Sequence, residues 1–294
     1  MGPHYRPRRS MLYVPASAPR YLEKARGLQV DSVIFDLEDA VLPERKAEAR
    51  TNLLEALAKG DYGCRERVVR VNGLATPWGR DDLAAVARAD IDAVLFPKIE
   101  SRQDVLDALA ALDAAGGERL PIMVLIETPF GVLRAAEIAG ASSRIACLVM
   151  GTSDLTNELH ARVTAERLPM LHSLSHCLLA ARAHDLAFID GIHLDLKHME
   201  TYEYACRMAR DLGCDGKSLI HPDQVAYAND AFTPRPDSVD RARRIITALA
   251  EANAAGKGVA VVEGRVVENL HVEAAKRTLL IHDMIQQCWG GAQP

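Results

Sequence analysis

The sequence predicts an α/β protein: a closed TIM-type (β/α)8 barrel followed by a C-terminal helix–hairpin–helix extension. Three observations carry this. Eight short apolar runs alternate with helix-like segments over roughly 230 residues, the size of such a barrel. Several runs are apolar throughout, as in IMVLI at 122–126 and IACLVM at 145–150, which is the pattern of parallel strands covered on both faces. After residue 232 the alternation stops. An open doubly wound sheet shares the alternation and is the second architecture, because closure is not written in a linear sequence.

The strand-like runs fall at 11–14, 32–37, 68–71, 93–96, 122–126, 145–150, 187–192 and 218–220. Residues 1–9, basic and Pro-containing, are expected to form a flexible tail, with the barrel over 10–232. The clearest helix is 101–115. Ser101 with Asp104 resembles a capping box, and Val105, Leu106, Leu109 and Leu112 form one apolar stripe. Thr233-Pro234-Arg235-Pro236 breaks the pattern and a long helix follows over 237–255. Two short apolar runs flank Glu263-Gly264 as a β-hairpin, and a last helix runs to about 287. The extension, 233–294, is an appendage to the barrel with too little core to fold alone.

Composition narrows the function. Of 294 residues, 35 are Lys or Arg and 40 Asp or Glu, a net charge of −5, and 49% are hydrophobic. That is a globular chain with no general surface for nucleic acid or an anionic membrane. A local basic pocket for a phosphorylated ligand is still compatible with it. No apolar run has the length of a membrane span, and the run from Met11 to Pro15 is too short for a signal-peptide core. The six cysteines form no C-x-x-C pair and read as the reduced thiols of a cytoplasmic protein.

In a barrel the chemistry collects at the C-terminal ends of the strands. Those ends carry Asp36, Glu38, Asp39, Arg70, Asn72, Lys98, Glu127, Asp154, Asp190, His193 and Asp195, with Lys217 and His221 flanking the eighth run. Glu127 and Asp154 end adjacent strands. Two carboxylates without His or Cys suit Mg2+, with water and substrate completing its shell. They equally suit a metal-free acid/base pair, and Asp154 could simply cap the next helix. His193-x-Asp195-x-x-His198 offers N and O ligands, but at no recognised zinc spacing. No G-x-S-x-G, Walker A or G-x-G-x-x-G occurs, so an elbow serine and the common nucleotide loops have no support.

Seven segments in order resemble the citrate lyase β-subunit-like proteins of the HpcH/HpaI aldolase superfamily. They are Arg9-Ser-Met-Leu-Tyr-Val-Pro, Val33-Ile-Phe-Asp-Leu-Glu-Asp-Ala-Val, Arg70-Val-Asn with Thr76-Pro-Trp, Phe96-Pro-Lys, Ile126-Glu-Thr, Gly151-x-x-Asp154-Leu and Gly216-Lys-x-x-Ile-His-Pro. The similarity runs from about residue 9 to 275. It implies a TIM barrel, usually a homotrimer or a dimer of trimers, that uses Mg2+ and a CoA-thioester substrate. Glu127 and Asp154 match the family's metal-binding carboxylates, and Arg70 its substrate-binding arginine. Tyr13 stands where Phe is usual beside the CoA, and Lys24 matches a CoA-side lysine. His221 belongs to the last segment and is a further substrate-binding candidate. Glu38, Asp39 and Lys217 are expected to orient the reacting residues from behind.

The resemblance implies retro-Claisen cleavage of a malyl-CoA- or citramalyl-CoA-type thioester to acetyl-CoA and a 2-oxo acid. A malyl-CoA thioesterase on the same scaffold is the alternative, and a non-catalytic citrate lyase component the third. In the family's lyases an Asp of the extension reaches the neighbouring subunit as the catalytic base. Here Glu268 holds that position and Leu270 replaces the usual Pro. The extension, 233–294, is accordingly expected to pack on a neighbouring subunit, with Glu268 as a catalytic carboxylate.

Overall fold

The computed structural model describes residues 6–290, which fall into two compact units, one ending at Phe232 and one beginning at Thr233. In the first unit eight parallel strands close a barrel in chain order. They are β1 (Ser10–Pro15), β2 (Ser32–Asp36), β3 (Glu66–Arg70), β4 (Ala93–Phe96), β5 (Ile122–Ile126), β6 (Ile145–Met150), β7 (Ala187–Asp190) and β8 (Gly216–Leu219). Closure is made by β1 against β8, with Met11 opposite Ser218. The helices that follow the strands are α1 (Pro19–Ala25), α2 (Lys46–Lys59), α3 (Gly79–Val86), α4 (Arg102–Ala114), α5 (Pro129–Leu133), α6 (Ala135–Ala139), α7 (Thr152–Glu158), α8 (Leu168–Ala183), α9 (Met199–Leu212) and α10 (Val225–Phe232).

Side-chain alternation divides the core in two. Met11, Ile34, Val68, Leu95, Met123, Leu125, Cys147, Val149 and Ile189 form a closed cluster inside the barrel. Their strand neighbours, such as Leu12, Phe35, Val69, Val124, Leu148 and Phe188, pack outward against the helices. Because both faces are buried, β5 and β6 carry no polar position at all.

Three expectations shift. β3 starts at Glu66 rather than Val68, because Glu66 turns inward at the N-terminal end of the barrel. There the Arg8 guanidinium donates to both its oxygens, at 2.7 and 2.6 Å, and Ser32 Oγ donates at 2.7 Å. The tail expected over 1–9 is therefore anchored at its end. Arg8 and Arg9 are buried, and Arg9 pairs with Asp31 at 2.7 Å. Residues 1–5 of that tail lie outside the described residues. The start of α4 also differs in detail. Ser101 accepts the N–H of Asp104, but the Asp104 carboxylate accepts the N–H of Glu100, one residue earlier than a capping box requires.

The second unit is α11 (Pro236–Ala254), a hairpin of β9 (Ala260–Val262) and β10 (Arg265–Val267), and α12 (Asn269–Trp289). Glu263 and Gly264 both have positive φ, 53° and 75°, as a two-residue hairpin turn of the primed type requires. Its small core joins Ala242, Ile245, Val262, Val267 and Ala275.

Candidate active site

The chemistry at the mouth begins with two strand ends. On the inward face of β2 and β3, Asp36 and Arg70 stand in register as partners. The Arg70 guanidinium donates from Nε and Nη2 to the two Asp36 oxygens, at 2.8 and 2.7 Å. Its Nη1 lies 2.8 Å from Glu38 and 3.8 Å from Asp39. The half-buried Tyr13 ring sits under the same guanidinium at 4.8 Å, a cation–π contact. Burial pushes the Tyr13 phenol well above its ordinary range. Arg70 is thus fixed in direction while part of its five-donor fork stays uncommitted.

The loop carrying Glu38 is itself held. The buried Lys46 ammonium donates to the Leu37 and Glu38 carbonyls and to Asn72 Oδ1, each at 2.8 Å. It also faces the Trp78 ring at 5.2 Å.

Glu127 follows β5 and is buried. Its Oε1 accepts the backbone N–H of Lys98 at 2.8 Å. Lys98 reaches that position with φ +52°, in the left-handed region a side chain seldom adopts. Behind Glu127 lies Gly151, at the end of β6. A Cβ there would stand 2.3 Å from Glu127 Cβ, so only glycine lets the carboxylate lie against β6. Asp154 is half-buried in the first turn of α7. Burial pushes the Glu127 carboxyl up to about 8, reinforced by the negative charges of Glu38 and Asp154. Glu38 is pushed up to about 7, again by burial, with Arg70 opposing and Asp39 and Asp36 adding to the rise. A buried carboxylate surrounded by others is short of positive charge, and that shortage fits a hard divalent cation. Among the described residues no group of three or more Asp, Glu, His or Cys could enclose a metal. Glu127 and Asp154 would therefore hold it by two ligands, the rest left for water and substrate, as Mg2+ prefers.

The mouth thus brings together Tyr13, Glu38, Asp39, Arg70, Glu127 and Asp154. Lys24 and Lys217 stand elsewhere, and His221 and Glu268 each make a local cap. Lys24 is exposed in the last turn of α1. Lys217 faces the helices, since β8 alternates and Ser218 opposite Met11 takes the inward direction. Its buried ammonium donates to Asp190 Oδ2 at 2.6 Å, and Arg167 donates to both Asp190 oxygens at 2.7 and 2.6 Å. His221 caps the turn Pro222–Gln224, its Nδ1 accepting the Asp223 N–H at 3.2 Å. Glu268, in the second unit, is exposed at the residue before α12, its N–H donating to His271 Nδ1 at 3.2 Å. His198 and Asp195 pair with each other at 2.7 Å on the surface, as a strand end running into α9 would. Two contributors, Asp36 and Lys46, were not legible as such. Asp36 lay in the acidic run as the neighbour of Glu38, and Lys46 carried no signal.

A closed (β/α)8 barrel whose mouth sets one oriented arginine against a buried acidic cluster has the arrangement of a barrel enzyme with its site at the C-terminal ends of the strands. The chain belongs to the HpcH/HpaI aldolase/citrate lyase family, whose pattern matches residues 9–222. It is 50% identical over 273 residues to a (3S)-malyl-CoA thioesterase of Cereibacter sphaeroides, covering 93% of this chain and 94% of that one. It is 35% identical over 308 residues to an L-malyl-CoA/beta-methylmalyl-CoA lyase of the same species, covering 96% and 97%. Among solved structures, CitE of Mycobacterium tuberculosis in complex with magnesium, acetoacetate and coenzyme A aligns with a TM-score of 0.73 and 29% identity. That alignment covers 93% of this chain and 97% of the other. No helix among the described residues is long and apolar enough to cross a membrane.

Proposed function

We propose that the protein hydrolyses a malyl-CoA-type thioester, with Mg2+ held by Glu127 and Asp154. The observation that carries the reading is the buried Glu127 carboxyl, with the negative charges of Glu38 and Asp154 raising it, facing the oriented Arg70 fork across one barrel mouth. The choice of hydrolysis over carbon–carbon cleavage leans on the 50% identity to a thioesterase, against 35% to a lyase. The retro-Claisen reaction expected from the sequence is thereby the second reading. It is kept by the same Arg70, which serves an enolate oxygen as well as a tetrahedral one.

When bound, Mg2+ supplies Lewis acidity and a template for the acyl oxygens. Arg70 places the free N–H bonds of its fork on the thioester oxygen as negative charge develops there. Asp36 and the Tyr13 ring fix that fork beforehand, so no reorganisation is needed at the reaction step. A water attacks the carbonyl carbon, the C–S bond breaks, and the thiol leaves with a proton. Glu268, from the extension of a second copy in a homo-oligomer, is assigned to take a proton from that water and return it to the departing sulfur. The chemistry fits Glu as well as Asp because both are carboxylates of similar ordinary pKa.

The deciding experiment incubates the purified protein with malyl-CoA and Mg2+ and identifies the products. Malate plus free CoA is expected. Glyoxylate plus acetyl-CoA would establish the lyase reading instead, and no turnover would reject both. Excess chelator is expected to stop the reaction, and full activity in chelator would remove the metal from it. In the same assay Glu268→Gln should lower kcat more than it changes KM, and an unchanged kcat would remove Glu268 from the reaction.

Arg70→Lys keeps the charge and loses the two-pronged hold on Asp36. A fall in kcat/KM of about 10²–10³-fold is expected, the usual cost of losing an oriented donor to a developing oxyanion. Steady-state kinetics and a thermal melt check this together. A variant that unfolds rather than slowing would make Arg70 a structural residue.

A further inference from the structure

Lys98 follows β4, and β4 lies between β3, which ends in Arg70, and β5, which leads to Glu127. Its backbone is committed to the site, since its N–H donates to Glu127 Oε1 at 2.8 Å from a left-handed φ of +52°. Its side chain is not committed. The residue is exposed, and among the described residues its ammonium makes no hydrogen bond and closes no ion pair. Burial alone would lower the Lys98 ammonium, but Glu38, Asp39, Glu127 and Asp154 together hold it above its ordinary value. The charge therefore stands toward the carboxylates of the mouth.

With Asp36, which Arg70 holds, these make five carboxyl groups at one barrel mouth. Two further cations stand beside them, and both are engaged. Arg70 grips Asp36 and turns the rest of its fork to the thioester oxygen. Lys46 is buried and spends its ammonium on the Leu37 and Glu38 carbonyls and Asn72 Oδ1. The acyl group of a malyl-type thioester brings one more negative charge, the carboxylate on its hydroxyl-bearing carbon. Mg2+ between Glu127 and Asp154 would be neutralised by those two groups, so the substrate's own carboxylate still needs a counter-ion.

We propose that the Lys98 ammonium takes this terminal carboxylate and so makes the site selective for thioesters of dicarboxylic acids. The inference rests on the thioester reading of the site. The strand order places Lys98 where such a contact falls, between the fork that meets the thioester oxygen and the carboxylates assigned to the metal. A long, exposed lysine has the reach and the three rotatable donors to follow a short acyl chain there.

The test crosses two changes, the carboxylate of the ligand and the ammonium of the protein. Non-hydrolysable CoA thioethers of the malyl group, and of the 3-hydroxybutyryl group in which methyl replaces the carboxylate, are titrated by calorimetry at saturating Mg2+. Turnover of malyl-CoA is measured beside them. Losing the carboxylate should weaken binding to the wild type, and should cost Lys98→Met about tenfold less than it costs the wild type. Lys98→Arg, which keeps the charge, should restore most of that difference. An equal loss in the wild type and in Lys98→Met overturns the assignment. Carboxylate-dependent binding through Lys98 without hydrolysis of malyl-CoA would reject the thioesterase reading and keep Lys98. Hydrolysis with an equal loss in both proteins would do the reverse.

Discussion

Glu127→Gln is expected to lower kcat/KM by about a thousandfold or more, since it takes several kcal/mol of charge stabilisation from the reacting oxygens. Binding of Mg2+, followed by calorimetry or with Mn2+ as a paramagnetic substitute, should weaken in parallel. The fold should not suffer. In the metal-free protein Glu127 is buried and its carboxyl is pushed up to about 8, with Glu38 at about 7. A group whose folded pKa is raised contributes stability that is fully present below the ordinary carboxylate range and is lost as pH rises through the folded value. With chelator present, the wild type should therefore lose thermal stability between about pH 4.5 and pH 8. Glu127→Gln should lose less over the same interval, since its side chain cannot ionise. A variant as active as the wild type would remove Glu127 from the metal site. An unaltered pH dependence would show that its carboxylate is compensated in the folded protein.

The second large effect concerns stability. Asp190→Asn is expected to cost about 3–5 kcal/mol, because it leaves the Lys217 and Arg167 cations buried without their anion. For a unit of this size that is a fall in Tm on the order of 10 °C. Burial alone would raise the Asp190 carboxyl, but Arg167 and Lys217 together hold it well below the usual carboxylate range. Its folded pKa is depressed, so its contribution is present above the ordinary carboxylate range and disappears only in strong acid. Lys217→Met should cost less, since the Arg167–Asp190 pair remains. Calorimetric melts of the two variants at neutral pH check the order. If Lys217→Met proves the more damaging, the ammonium is worth more for its hydrogen bond to the Gly191 carbonyl than for its charge.

The two predictions concern residues that are alike in sequence. Both Glu127 and Asp190 are acidic and end apolar strands, yet one belongs to the mouth and the other to the wall between barrel and helices. Strand parity separates them, and parity depends on exact register. Lys217 was placed behind the site for want of that register: the eighth run is short, and its strand begins at Gly216 rather than Ser218. A His after a strand and before a Pro can cap a turn, and the structure shows that His221 does so, its Nδ1 accepting the Asp223 N–H at 3.2 Å.

The sequence by itself determined a layered, parallel α/β architecture. Its several fully apolar runs admit no solvent-facing strand, and eight strand-like runs alternating with helical segments match the size of one barrel, whose closure the β1–β8 pairing decided. It also determined that Arg70, Glu127 and Asp154 belong to the C-terminal ends of their strands, because Arg70 lies in the last part of an apolar run, Glu127 directly follows one and Asp154 comes four residues after one. What only the tertiary structure decided was which partners each of these meets. Asp36 reaches Arg70 across two adjacent strands, Lys46 reaches the Glu38 carbonyl from the next helix, and Gly151 makes room for Glu127 from the neighbouring strand. These contacts join residues up to 34 positions apart. Their selection comes from the registers and side-chain directions that barrel closure imposes on all eight strands together, and no local pattern of residues encodes that.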